Sequence, residues 1–169
     1  AAYDLLWYEE PVSAQDVDGY LAIRQALSVP IAGAESLSCE SSFEHIVQQQ
    51  AVDIIQPDIG RVGGFSGVGA IDALAIASEV QVIPHAFGSA IRLAATLQWL
   101  ATIPDEALNR LPAYLEVDVM ENALRTDLTS TPLELEGGFV RVPDLPGLGI
   151  ELDEHALRKY ISGQTLVVG

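Results

Sequence analysis

The sequence predicts an α/β fold of parallel strands flanked by outer helices. Three observations carry that expectation. A short apolar run is followed by a helical pattern four times in succession. Two of those runs, "VDIIQ" and "VQVI", read as strands buried on both faces. The polar residues that stand out, Glu9, Glu35, Asp58, His85 and Glu116, all sit just past a strand. Repeated strand–helix units of this length imply parallel strands joined by crossovers. In either a β/α barrel or a doubly wound sheet, the C-terminal rim of the strands carries the ligand site.

The first strand is "DLLWYEEP", an apolar run that ends in two adjacent carboxylates, Glu9 and Glu10, and a proline. The helix "QDVDGYLAIRQAL" follows, with Val17, Tyr20, Leu21 and Leu27 on one face. "VPIAGAES" is the second strand, and "SSFEHIVQQQ" the second helix, opening with Ser41 and Glu44 at capping-box spacing. The third strand, "VDIIQPDI", leads through "GRVGGFSGVG" into the helix "FSGVGAIDALAIASEV". Those glycines do not fit G-x-G-x-x-G and no lysine follows, so they predict a tight turn against a helix start rather than a phosphate loop. "VQVIPHAF" is the fourth strand and "SAIRLAATLQWLATI" its helix. "AYLEVDV" is a fifth strand with no helix directly after it. The Pro- and Gly-rich remainder reads as a return excursion that packs on the rest. Trp7, Trp99 and Met120 are expected in the core.

The composition narrows the class. The chain has 169 residues, 49% of them hydrophobic, enough for one sizeable core. No apolar run is long enough for a membrane span, and the opening "AAYDLLWYEEPV" lacks the pattern of a signal peptide. Cys39 is the only cysteine, which excludes an internal disulfide and fits a reducing cytoplasm. Twenty-four acids face eight bases, for a net charge of −16, and Lys159 is the only lysine. Such a surface repels nucleic acid and anionic membranes. Its acid coat is the kind that tolerates high salt, where self-repulsion is screened.

An ionised carboxylate at the end of an apolar strand is costly unless a cation meets it. Carboxylates on neighbouring strand ends can converge on a hard cation such as Mg²⁺, and Glu9 and Glu35 are the candidates, with Glu10 in support. A salt bridge explains either acid taken alone. If the third and fourth strands are neighbours, Asp58 can orient the ring of His85, an arrangement that suits a general base. The set then describes a site that removes a proton next to a carboxylate.

Those residues lie in motifs that resemble a known family. "WYEEP", "GAES", "QPDIGRVGG", "PHAFGSAI" and "VPDLPGLGIELDE" resemble the C-terminal part of the enolase superfamily, mandelate racemase subgroup. Glu9 to Glu35 is 26 positions, Glu35 to Asp58 is 23 and Asp58 to His85 is 27, intervals that match that subgroup. The resemblance implies a modified (β/α)₇β barrel with outer helices. Residues 1–125 would form a partial barrel, strands four to eight, and residues 126–169 a C-terminal segment packing on it. A complete barrel needs roughly 250 residues, so the N-terminal capping domain and first three strands are expected to be absent and the chain inactive alone. Glu9 and Glu35 would bind Mg²⁺, Asp58 would orient the base His85, and Glu116 would face the substrate, with Asp105 competing for that last role. The implied function is a Mg²⁺-dependent sugar-acid (aldonate) dehydratase. It would take the α-proton of a 2-hydroxy carboxylate and lose the β-hydroxyl to give a 2-keto-3-deoxy acid. A 2-hydroxy-acid racemase or epimerase and a non-catalytic barrel fragment are the alternatives. The implied partners are the small-molecule sugar acid and, in full-length form, further copies of the chain.

Overall fold

The computed structural model describes residues 3–104 and 111–163. Strands β1 (Tyr8–Glu9), β2 (Ile31–Gly33), β3 (Ile54–Ile55) and β4 (Gln81–Val82) form one parallel sheet in that order. Helices α1 (Val17–Ala26), α2 (Glu40–Gln48) and α3 (Gly64–Ala77) connect them, and α4 (Ala90–Leu100) follows β4. The register places Glu9 beside Ala32, Ala32 beside Ile54 and Ile54 beside Gln81. Strand side chains alternate between faces. One face, with Ile31, Ile55 and Val82, packs on the helices through Tyr20, Phe43, Ile46, Ile71 and Trp99. The other carries Ala32, Ile54 and Ile83, packed by Trp7, Leu111 and Tyr114. Burying each large apolar side chain contributes roughly 1.5–3 kcal/mol, so the helix-facing layer is the main core.

The helix starts differ in kind. Asp16 caps α1 by accepting from Gly19 N, and Ser89 caps α4 by accepting from Arg92 N. The capping box expected at Ser41 and Glu44 is not formed. The helix begins earlier, at Glu40, so Ser41 is already inside the first turn, and the N-cap residue Cys39 makes no side-chain cap bond. At the start of α3 the chain passes through the N-cap Gly63 and the first helical residue Gly64 at φ 91 and 70, left-handed conformations that glycine adopts without strain.

The predicted strand "AYLEVDV" is also not formed among the described residues: 113–119 joins no ladder there. Two side chains tie this segment to the region of β4. Gln81 Nε2 donates to the Leu111 carbonyl at 2.8 Å, and Ala86 N donates to Glu116 Oε2 at 2.7 Å. Beyond it lie α5 (Ala123–Thr126), the hairpin β5 (Leu135–Glu136) and β6 (Phe139–Val140), and α6 (Glu154–Tyr160). Gly137 and Gly138, both at positive φ, form the two-residue hairpin turn. Gln98 on α4 holds this return segment by donating to the carbonyls of Pro143 and Leu148. Of the residues expected in the core, Trp99 is buried, Trp7 is half-buried, and Met120 is 69% exposed. Met120 lies in the loop before α5, outside both apolar layers. Among the described residues no helix is long and apolar enough to cross a membrane.

Candidate active site

The sheet brings the ends of β1 to β4 together, and with them four of the five residues singled out. Asp58 lies in the turn after β3 and is fully buried. Its Oδ1 accepts from Gly60 N at 2.8 Å, closing a tight Asx turn. Its Oδ2 meets His85 Nδ1 at 2.9 Å and accepts from Arg92 Nη1 at 3.0 Å. An ionised carboxylate only accepts, so His85 carries its hydrogen on Nδ1 and turns Nε2 outward. That Nε2 is 3.7 Å from Glu35 Oε2. A backbone bond from His85 N to the Pro57 carbonyl, 3.2 Å, fixes the two turns to each other.

Glu35 reaches this position against the strand pattern. Strict alternation would send it with Ile31 and Gly33 toward the helices, where Gly33 packs against the Tyr20 ring and hydroxyl. Ala34 breaks the alternation with φ 83, a left-handed conformation that costs an alanine about 1–2 kcal/mol, and Glu35 then faces His85. Glu10 likewise has positive φ, 39.

The electrostatics on this side are unbalanced. Burial pushes the Glu35 carboxyl above the ordinary carboxylate range. His85 pulls it down, and the acids Glu10, Glu116 and Glu9 push it up again. Tyr20, buried on α1, is raised to about 12 by burial and by Glu10, Glu35 and Glu9, and its hydroxyl has no hydrogen-bond partner among the described residues. Glu9 Oε2 accepts from Trp7 Nε1 at 2.9 Å and from Gln56 Nε2 at 2.7 Å. Glu116 is anchored through Ala86 N beside His85, and Asp105, its competitor, lies outside the described residues. Among the described residues no three His, Cys, Asp or Glu side chains come close enough to hold a metal ion by themselves.

Sequence reasoning missed Arg92 and Gln56. Gln56 looks like any polar residue at a strand end. Arg92 did leave a signal: it is a cation in the first turn of a helix, where the helix dipole disfavours positive charge.

Residues 1–156 match the family described as enolase C-terminal domain-like. The chain is 36% identical over 162 residues to the D-galactarolactone cycloisomerase of Agrobacterium fabrum, covering 95% of this chain and 43% of that protein. It is 32% identical over 165 residues to the D-xylonate dehydratase of Haloferax volcanii, covering 97% of this chain and 39% of that protein. The crystal structure of the 3,6-anhydro-D-galactonate cycloisomerase from Zobellia galactanivorans superposes with a TM-score of 0.83 at 38% identity, covering 95% of this chain and 44% of that chain. The chain thus spans less than half the length of the relatives it matches.

Proposed function

From a chain that belongs to the enolase C-terminal domain-like family, we propose the proton-transfer half of an active site that eliminates a β-oxygen from a sugar acid, with an aldonate dehydratase as the reading. The observation that carries it is the His85–Asp58 pair, 2.9 Å apart, with Nε2 of the ring 3.7 Å from the Glu35 carboxylate. Asp58 holds the ring and its tautomer, which leaves Nε2 as the basic nitrogen of the ring, on the Glu35 side.

Mg²⁺ fits the donor chemistry here. Glu9 and Glu35 are oxygen donors of the type it prefers, the acids Glu10, Glu116 and Glu9 add negative charge around Glu35, and Mg²⁺ needs only one or two protein carboxylates when water and substrate complete its shell. When bound, it supplies a positive charge for the substrate carboxylate as negative charge grows there. Gln56 and Trp7 fix the Glu9 carboxylate by two hydrogen bonds to one oxygen.

In the reaction, His85 Nε2 takes the proton from the carbon beside the carboxylate. The electron pair left behind forms a C=C bond as the β-hydroxyl departs. His85, now protonated, is placed to give that proton to the leaving oxygen, so water leaves and the enol relaxes to the 2-keto-3-deoxy acid. A second reading follows from the similarity to two cycloisomerases. If the leaving oxygen is tied into a ring of the substrate, the same elimination expels no water and yields an isomer.

The test incubates the native-length protein with Mg²⁺ and a panel of aldonic acids, aldaric acids and their cyclic forms, with His85→Asn as control. A keto product from an open-chain aldonate that disappears in the control supports the dehydratase. Turnover of cyclic substrates only moves the assignment to the isomerase. Exchange of the α-proton with no keto product points instead to a racemase.

A further inference from the structure

We infer that Arg92 is a positioning residue for His85, acting through Asp58; the inference rests on His85 being the proton-transfer group. Three observations converge on its guanidinium. Nη1 donates to Asp58 Oδ2 and to the Phe87 carbonyl, both at 3.0 Å. It therefore ties the buried carboxylate to the loop that carries His85. Gly60 forms a slot for it: a Cβ at that position would lie 2.8 Å from both Nε and Nη2. Arg92 is also the only charged residue in the α4 sequence AIRLAATLQWL, and it stands three residues after the cap Ser89, at the end of the helix that repels cations. A side chain placed against the local preference of its helix, in a slot that only glycine leaves open, is held there by what it touches.

Its effect follows from the shared oxygen. With His85 alone, Asp58 Oδ2 would be held from one side, and the buried carboxylate would have no permanent positive partner. Arg92 supplies the second donor and the charge. It also ties Phe87, two residues after His85, through the bond to the Phe87 carbonyl. The imidazole is thereby held in the Nδ1–H form with Nε2 presented to the cleft.

In the native-length protein, comparison with His85→Asn assigns the His85 ring nitrogens by ¹⁵N NMR. At about pH 9, well above the ordinary imidazole range, His85 is expected to show a single tautomer with hydrogen on Nδ1. Arg92→Met should convert it to an average of both tautomers. Gly60→Ala, which displaces the guanidinium without removing its charge, should move the signals the same way. Arg92→Lys should restore the wild-type pattern in part. Unchanged His85 signals in Arg92→Met and Gly60→Ala would overturn the inference. If Arg92→Met does not fold, Gly60→Ala and Arg92→Lys decide on the same criterion. In the native-length protein, Arg92→Met should lower kcat by about 10–100-fold with little change in KM; a change confined to KM would count against the positioning role. The NMR result needs no turnover, so a protein inactive on every sugar acid would sink the proposed reaction while leaving Arg92 decided.

Discussion

The two sides of the candidate site are built on opposite principles. At the ends of β3 and β4, Asp58 is fully buried, yet each oxygen has a partner and its charge is met by Arg92. At the ends of β1 and β2, Glu9, Glu10 and Glu35 are more exposed, two left-handed non-glycine residues, Glu10 and Ala34, lie in this stretch, and the like charges push the Glu35 carboxyl up. The first side is complete as it stands and can hold a base in one orientation. The second carries backbone strain and like charge together. Function read from a fold often sits where local rules are broken without local compensation, and here that is the carboxylate side.

The largest effect should come from breaking the complete side. Asp58→Ala strands the Arg92 guanidinium and the His85 Nδ1–H in a buried turn. Removing one partner of a buried pair costs about 3–5 kcal/mol, and the expected loss is near 3 because the Arg92 side chain keeps 36% exposure and can turn to water. Urea unfolding measures it. A loss below about 1 kcal/mol would mean the two sides are energetically alike.

The carboxylate side should answer in the opposite sense. Glu35 has a raised folded-state pKa, so the folded chain holds that proton more tightly than the unfolded chain. Its contribution to stability is fully present below the ordinary carboxylate pKa. It is lost as pH rises through that value to the raised one. Glu35→Gln should therefore match the wild type in acid and exceed it slightly at neutral pH, by up to about 0.5 kcal/mol. Mg²⁺ should reverse the order. At ten times its Kd it stabilises a binding protein by roughly 1.4 kcal/mol, which should raise the wild-type melting temperature by a few degrees and leave Glu35→Gln unmoved. Equal Mg²⁺ responses in the two proteins would remove Glu35 from the ligand set.

The same contrast explains what could be read from the sequence. The helices and the four parallel strands were legible because apolar periodicity and strand-end polarity are local, and so was the meeting of Asp58 with His85 once β3 and β4 were taken as neighbours. The segment 113–119 has the right apolar pattern but joins no ladder among the described residues, because pairing is set by neighbours across the sheet rather than by the local pattern. The expected capping box failed because Cys39, a residue with no cap bond to offer, occupies the N-cap position. Arg92 showed only as a cation in the first turn of a helix, and its pairing with Asp58 needs the helix after β4 to be placed against the turn after β3. Ala34 was hidden more deeply, since alanine gives no hint of a left-handed conformation.

Ala34 also gives the smallest and sharpest test of the strained side. Its φ of 83 is one that glycine adopts freely and alanine resists by about 1–2 kcal/mol. Glycine gives back about 0.5–1 kcal/mol through the greater freedom of its unfolded chain. Ala34→Gly should therefore stabilise the protein by about 0.5 kcal/mol, visible as a small shift of the urea midpoint with unchanged slope. Ala34→Val should destabilise it more strongly, because a β-branched residue is still less tolerant of that backbone. If Ala34→Gly instead loosened Glu35 enough to abolish the Mg²⁺ response while raising stability, the strain would be what aims the carboxylate. If both stability and Mg²⁺ response rose, the strain would be incidental to the site.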